Sequence, residues 1–197
     1  SADLPVMAVQ DLDLRSLLLL LVDRQIYEPL AVDQGLKGGP DLREELAVSL
    51  GQIGAPQGRT VLEGLLLDPE PRVRRAAAFA LGELEDKTAI PALLRAAADP
   101  DRETGSLAVE ALGKLGAPVI DVAEHLVPLP DPERWARLLP HLFRFSGEEK
   151  IPLAEHGLAI ADRELHARAA FALSRNPLPA GAPLLRPLLA DPDPQVR

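Results

Sequence analysis

The chain has no cysteine among its 197 residues, and this absence excludes several kinds of chemistry. Disulfide bonds, zinc sites built from thiolates, iron–sulfur clusters and cysteine nucleophiles all require that residue. Aromatic residues are also scarce, at 3% of the sequence, whereas hydrophobic residues reach 47%. Leucine, alanine and valine must therefore fill the core.

Long apolar runs and strand-like alternation are missing as well. The longest purely apolar run, Leu17–Val22, is far shorter than the roughly 20 residues that a membrane span needs, so no span is predicted. Few segments alternate with the period of two that a half-buried strand shows. Many of the 20 prolines fall between periodic apolar segments, as at Pro69, Pro100 and Pro192, where they mark helix starts and turns. The sequence predicts an all-α fold.

A period of 31 residues runs through the middle of the chain. Leucine–glycine pairs begin at Leu50, Leu81 and Leu112, each 31 residues after the one before. The phase then slips by one residue after Gly147. A fixed period between 20 and 50 residues is the signature of a solenoid, in which stacked neighbours bury apolar faces that one hairpin cannot bury alone.

One unit shows the helical pattern clearly. On the predicted helix 72–84, one face carries Val73, Ala76, Ala77, Ala80, Leu81 and Leu84. The whole unit 69–99, PEPRVRRAAAFALGELEDKTAIPALLRAAAD, resembles a HEAT repeat of the bacterial kind first described in phycobilisome lyases. The resemblance implies an α-α superhelix, a HEAT-like solenoid of about six helical hairpins. It implies little about activity, because such arrays serve as scaffolds, adaptors, lyases and nucleic-acid enzymes.

We expect one domain divided into repeat units at about 12–39, 40–68, 69–99, 100–129, 130–160 and 161–191. Residues 192–197 then open a seventh unit, because the segment 191–197, DPDPQVR, copies the segment 68–74, DPEPRVR. This copy predicts a fragment of a longer protein. An array shortened in evolution is the alternative.

No set of residues has the spacing of an active site or a metal site. The four histidines form no His-x-x-x-His pair, and no Glu-x-x-His occurs at the spacing of a helical metal site; they are His125, His141, His156 and His166. The acidic pairs Glu44–Glu45 and Glu148–Glu149 are expected to stabilise helix starts. Serines and threonines lack an adjacent histidine–aspartate set. We therefore predict no metal, no cofactor and no enzymatic activity.

Nucleic-acid binding is disfavoured by the net charge of −9 and by the placement of the arginines. Residues that occupy the same position in successive repeats form a column of the repeat alignment. One such column is basic but interrupted, and it contains Arg43, Arg74, Gly105, Ala136, His166 and Arg197. In HEAT repeats this arginine resembles the position that forms hydrogen bonds between repeats. The second helices mix basic and acidic residues, so they offer no continuous basic groove.

Aromatic residues cluster in the fifth unit, where Pro140 interrupts the first helix. Trp135 and Phe143 fall on the core column, so we expect them to pack. Phe145 lies off that column. It is therefore predicted to be an exposed anchor for a partner, because aromatic residues are enriched at interaction hot spots.

The leading hypothesis is a non-enzymatic scaffold that binds another protein in the groove formed by the second helices, because a solenoid presents an extended concave surface. The residues expected to contact the partner are Arg59, Glu63, Lys87, Arg95, Glu124, Phe145, Glu155 and Arg186. Two enzyme readings stay open. The chain is similar to bacterial proteins in which HEAT units accompany a cyclophilin-type peptidyl-prolyl isomerase domain, which would lie outside these residues. The family name alone implies a chromophore lyase.

Overall fold

A computed structural model of the chain describes residues 14–25, 27–175, 178–194 and 196–197. These residues form α-helices and short 3₁₀-helices and no strand, which confirms the all-α fold class. They fall into two compact units, the first ending at Ala89 and the second beginning at Ile90. In the described ranges, no helix is both long enough and apolar enough to cross a membrane.

The first unit contains five α-helices followed by a 3₁₀-helix, Lys87–Ala89. The α-helices are α1 (Leu14–Arg24), α2 (Pro29–Lys37), α3 (Pro40–Ile53), α4 (Gly58–Leu65) and α5 (Pro71–Glu83). Proline opens α2, α3 and α5, where its missing N–H is tolerated and its fixed φ favours the helix. Gly54 ends α3 with a φ of 67°, a left-handed conformation that glycine adopts without strain.

Close packing of α3 against α5 forms the core of the first unit. The approach is tight at Gly51, where an added Cβ would lie 2.8 Å from the Cβ of Ala80. Fully buried leucines and valines surround this contact; they include Leu46, Leu50, Leu62, Val73 and Leu81. The small residues of the repeat therefore allow the helices to approach closely.

The second unit contains seven α-helices and two 3₁₀-helices, Leu139–Arg144 and Pro179–Gly181, among its described residues. The α-helices are α6 (Ile90–Ala97), α7 (Arg102–Leu115), α8 (Val119–Leu126), α9 (Asp131–Leu138), α10 (Lys150–Ala159), α11 (Arg163–Arg175) and α12 (Ala182–Leu188). In the repeat pattern, α3, α5, α7, α9 and α11 are first helices, and α4, α6, α8, α10 and α12 are second helices. The repeat boundaries given above stay a prediction.

The 3₁₀-helix Leu139–Arg144 overturns one sequence prediction. Leu139, Leu142 and Phe145 are all buried, and Phe145 is only 1% exposed. The prediction that Phe145 is an exposed anchor is therefore wrong. A 3₁₀-helix has three residues per turn, so a spacing of three puts these side chains on one face. Phe143, expected in the core, is instead half-buried.

Candidate partner-binding surfaces

Two of the three predicted partner-binding residues of the first unit, Arg59 and Glu63, are joined to each other. On α4, Arg59 Nη1 lies 2.6 Å from the carboxylate of Glu63, and Arg59 Nε lies 3.2 Å from that of Asp86. Lys87 is exposed in the 3₁₀-helix that follows. Arg59 and Glu63 thus stabilise this unit internally, and they must exchange partners before they can contact another protein.

The predicted partner-binding residues of the second unit, in contrast, have side chains that are exposed and unpaired within the described residues. Arg95 lies on α6, Glu124 on α8, Glu155 on α10 and Arg186 on α12, and all four side chains are exposed. Within the described part of the chain, none of them forms a hydrogen bond or an ion pair. Each second helix of this unit therefore presents a charged side chain that is available to a partner.

The exposed face of α8 also carries apolar side chains. Ile120 is 41% exposed, and Val127, at the end of the helix, is 61% exposed. Because Ile120, Glu124 and Val127 are spaced by four and three residues, they lie on one face. The opposite face packs Val119, Val122 and Leu126 into the core, and those residues do not contribute to the surface.

The first-helix arginines, in contrast, bind Asp68 at the turn between two repeats, Arg43 from the repeat that ends there and Arg74 from the repeat that follows. Arg43 on α3 donates to both carboxylate oxygens of Asp68, at 2.5 and 3.0 Å. Arg74 on α5 donates to the backbone oxygen of Asp68 at 2.9 Å. The hydrogen bond from Arg43 lowers the pKa of Asp68 and raises the pKa of Arg43. This geometry confirms that the arginine column has a structural role between repeats.

In the second unit, the arginine that donates to the backbone at the turn between repeats comes from a different position in the repeat. The column places Gly105 on α7, and the buried Arg137 on α9 fills the space beside it. Arg137 Nη1 donates to the backbone oxygens of Ala97 and Asp99, at 2.8 and 2.7 Å. The repeat alignment placed Ala136 in the arginine column, and so the sequence analysis missed Arg137. Burial lowers the pKa of Arg137 from its usual value.

The turn at Asp191 has the same arrangement of hydrogen bonds as the turn at Asp68, except at one position. Arg197 donates to the backbone oxygen of Asp191 at 2.9 Å, as Arg74 does to Asp68. His166 stands where Arg43 stands in the first unit. Its Nε2 lies 3.5 Å from the Asp191 carboxylate, beyond a normal hydrogen bond, and it has no hydrogen-bond partner.

We expect His166→Arg to raise the free energy of unfolding of the second unit by about 1 kcal/mol. The longer side chain would supply the paired donors that the Asp191 carboxylate lacks. Urea denaturation followed by the fluorescence of Trp135, the single tryptophan, measures the change. The reverse replacement, Arg43→His, should destabilise the first unit by a similar amount. Shifts of the same sign in both variants would contradict this account.

A polar cluster on the first helices of the second unit was missed by the sequence analysis. His141 Nε2 lies 2.9 Å from Ser106 Oγ, and Arg144 bonds Glu110 at 2.8 Å. Burial is the main reason that the pKa of His141 falls to about 4, so the imidazole is neutral at pH 7. The cluster joins α7 to the 3₁₀-helix that follows α9. Because these are the first helices of neighbouring repeats, the repeat order could have indicated that their side chains meet.

This cluster resembles a catalytic triad only in composition. The carboxylate of Glu110 is 4.0 Å from His141 Nδ1, too far for the hydrogen bond that orients a catalytic imidazole. Glu110 is instead held by Arg144 and by Lys114, the latter at 3.4 Å. The contacts therefore join two first helices. Across the described ranges, no group of three or more histidine or acidic side chains could hold a metal ion.

Comparisons with known proteins agree with this architecture. The family model described as HEAT repeats matches residues 59–138. A chain from the complex of CpcE and CpcF of phycocyanin lyase from Nostoc sp. PCC7120 superposes with a TM-score of 0.51 and 24% identity, over 94% of this chain and 76% of that chain. Human deoxyhypusine hydroxylase gives a TM-score of 0.37 and 18% identity, over 93% of each chain. Among curated proteins, none matches.

The prediction that the chain is not an enzyme is overturned by the first of these structures. It rested on the absence of a catalytic set in the sequence, whereas a chain of similar fold belongs to phycocyanin lyase, which is an enzyme. Fold and activity are separable, so this architecture is compatible with a repeat scaffold and with a lyase-like protein.

Both the HEAT match and the fold therefore confirm the resemblance found in the sequence. The repeated helical hairpins, the arginine contacts between repeats and the matched segment are features of one architecture. Residues 59–138 are similar to the HEAT-repeat family, and the fold of the chain is like that of the phycocyanin lyase chain.

Proposed function

We propose that the chain binds another protein through the exposed face of the second helices in its second unit, with α8 at the centre. The observation that carries this proposal is the contrast between the two sets of charges. The side chains of the second-helix residues Arg95, Glu124, Glu155 and Arg186 form no hydrogen bond or ion pair with the described residues. First-helix arginines such as Arg137 and Arg144 are already bonded to their own chain.

Unpaired exposed charges favour intermolecular contacts for an energetic reason. A charge that is already bonded must lose that contact when it meets a partner, so little is gained. Glu124 has no such contact to lose. It lies between Ile120 and Val127 on the face of α8, and burying an apolar side chain of this size contributes up to roughly 1.5 kcal/mol. A charged residue flanked by apolar ones suits a partner helix.

The structural comparison supports an assembly without identifying the partner. The similar fold comes from a structure in which CpcE and CpcF form a complex. HEAT arrays present continuous surfaces built from successive hairpins, and such surfaces suit extended contacts with other proteins. We infer that this chain also works as one component of a protein assembly.

Site-specific photo-crosslinking in the native cell tests the proposal. A photoreactive phenylalanine analogue at Glu124 on α8 should crosslink to one partner protein. The same analogue at Glu103, an exposed glutamate on the neighbouring helix α7, is the matched control and should give no such product. Glu124→Arg should then reduce the amount of that partner that co-purifies.

Two results would overturn the proposal. One is equal crosslinking from positions 103 and 124, which would show that the second-helix face is not selective. The other is the absence of a specific product from position 124 in cells where the chain is expressed and folded.

A further inference from the structure

The exposed face of α11 carries charged side chains on both sides of a phenylalanine. Glu164, Arg168, Phe171 and Arg175 are spaced by four, three and four residues, so they form one stripe along the helix. Phe171 is 49% exposed. This stripe lies on a first helix and is separate from the second-helix face proposed above.

A second aromatic ring extends this surface. The ring of Phe143 meets that of Phe171 edge to face, with the centroids 5.4 Å apart. The guanidinium carbon of Arg144 lies 5.0 Å from the centroid of the Phe143 ring. Two aromatic side chains from successive repeats are thus bordered by arginines from the same two repeats.

An open cavity of about 920 Å³ lies next to Phe171. Arg163 and Arg168 line it together with Asp193 and Pro194, so one wall belongs to α11 and the other to the segment that follows α12. The cavity gives room for an extended segment to lie against the exposed ring.

The charges of this surface are basic in a protein of net charge −9. Four arginines border it, at positions 144, 163, 168 and 175, against the carboxylates of Glu164, Asp193 and Glu110, the last of which binds Arg144 at 2.8 Å. Two ion pairs cross it, from Arg168 to Glu164 at 3.3 Å and from Arg163 to Asp193 at 2.8 Å. The side chain of Arg163 is 81% exposed and that of Arg168 is 49% exposed. Surface ion pairs of this kind contribute little to stability, so a ligand carboxylate can replace Glu164 or Asp193 as the partner.

We propose that this face binds an acidic peptide segment of another protein, with its carboxylates on the arginines and an apolar side chain against Phe171. Arginine matches carboxylates because its planar guanidinium presents two parallel donors. The exposed phenylalanine supplies the apolar contact that fixes the position of the segment. The charge of the face, opposite to that of the whole chain, selects an acidic segment over a basic one.

A nucleic acid is the competing polyanion, and the observations favour the peptide. Nucleic-acid affinity depends on many phosphate contacts along a basic track. This surface is short, and the surrounding protein carries a strong negative charge that repels a long polyanion. An acidic peptide needs only the few arginines beside Phe171.

Fluorescence anisotropy with a short labelled peptide of glutamate, aspartate and leucine tests the proposal on the full chain. Saturable binding that weakens with added salt is expected, with no binding of a lysine–leucine peptide. The double variant Arg168→Glu, Arg175→Glu should weaken binding at least about tenfold, equivalent to about 1.4 kcal/mol. Phe171→Ala should weaken it several-fold.

Phe79→Ala is the matched control, because Phe79 is also 49% exposed and occupies the same repeat column on α5. The stripe around it ends in Glu83 where α11 has Arg175, so this variant should bind the peptide as the parent does. Circular dichroism and the melting midpoint establish that each variant is folded.

Three results would overturn the proposal: no binding of the acidic peptide, equal losses of peptide affinity for Phe79→Ala and Phe171→Ala, or tighter binding of single-stranded DNA than of the peptide. None of these outcomes bears on crosslinking from Glu124.

Discussion

Gly105→Ala is expected to lower the free energy of unfolding of the second unit by about 3 kcal/mol. An added Cβ would lie 2.6 Å from the backbone oxygen of Ala97 and would overlap the guanidinium of Arg137. To make room, Arg137 would have to leave the two backbone oxygens to which it donates. Those oxygens are covered by the arginine, so they would lose their partners without full access to water.

Urea denaturation followed by Trp135 fluorescence reports this change, because the single tryptophan lies on α9, two residues before Arg137. Gly64→Ala is the control. Gly64 lies within α4, and an added Cβ there meets nothing within 4 Å. Alanine at this position should stabilise the first unit by up to about 1 kcal/mol, as measured by circular dichroism.

A double-mutant cycle separates the packing of Arg137 from the helix propensity of residue 105. In an Arg137→Leu background, Gly105→Ala should cost less than in the parent, because part of its effect is the displacement of Arg137. Strictly additive effects would contradict the proposed coupling. So would a stabilising effect of Gly105→Ala like that expected at Gly64.

Phe145→Ala is expected to destabilise the second unit by about 3–5 kcal/mol. The side chain is almost completely buried at the end of the 3₁₀-helix, and its ring lies close to Gly113 on α7. Truncation to alanine leaves a cavity that the close approach of α7 cannot fill without moving a helix. The same fluorescence measurement applies, and the transition should remain cooperative if the helices persist.

Phe171→Ala serves as the comparison within the same unit. Its ring is half exposed, so the loss of packing should be below about 1 kcal/mol. A larger loss for Phe171→Ala than for Phe145→Ala would restore the original prediction, in which position 145 is the surface anchor. Equal losses would contradict the burial difference between the two rings.

The sequence predicted the parts of the fold that follow the helical period. The buried face of α5 contains Val73, Ala77, Ala80 and Leu81 as the pattern requires. Prediction failed for Phe145, because the 3₁₀-helix after Leu138 replaces a period of 3.6 by a period of three. Pro140 indicated the interruption, but it did not indicate which period would follow.

The candidate surfaces were predicted in part. Helix order placed Arg95 and Glu124 on second helices, but a sequence cannot show that Arg59 is bonded to Asp86, which lies beyond the next helix. The stripe on α11 was missed for a different reason. The repeat alignment places Phe171 in the same column as Phe79. The stripe is instead defined by residues spaced three or four apart along α11 alone. The contact of Ser106 with His141 depends on how two helices are aligned, which periodicity does not determine.

The relation between Gly105 and Arg137 has a consequence for how such arrays evolve. The acceptors at the turn between hairpins, the backbone oxygens of Ala97 and Asp99, receive their donor from the repeat that follows the one containing Gly105. A donor can therefore migrate from one repeat to its neighbour, provided that the position it leaves becomes small. What natural selection preserves at such a turn is the filled space and the satisfied oxygen, so two lineages can share the architecture while their arginines fall in different alignment columns.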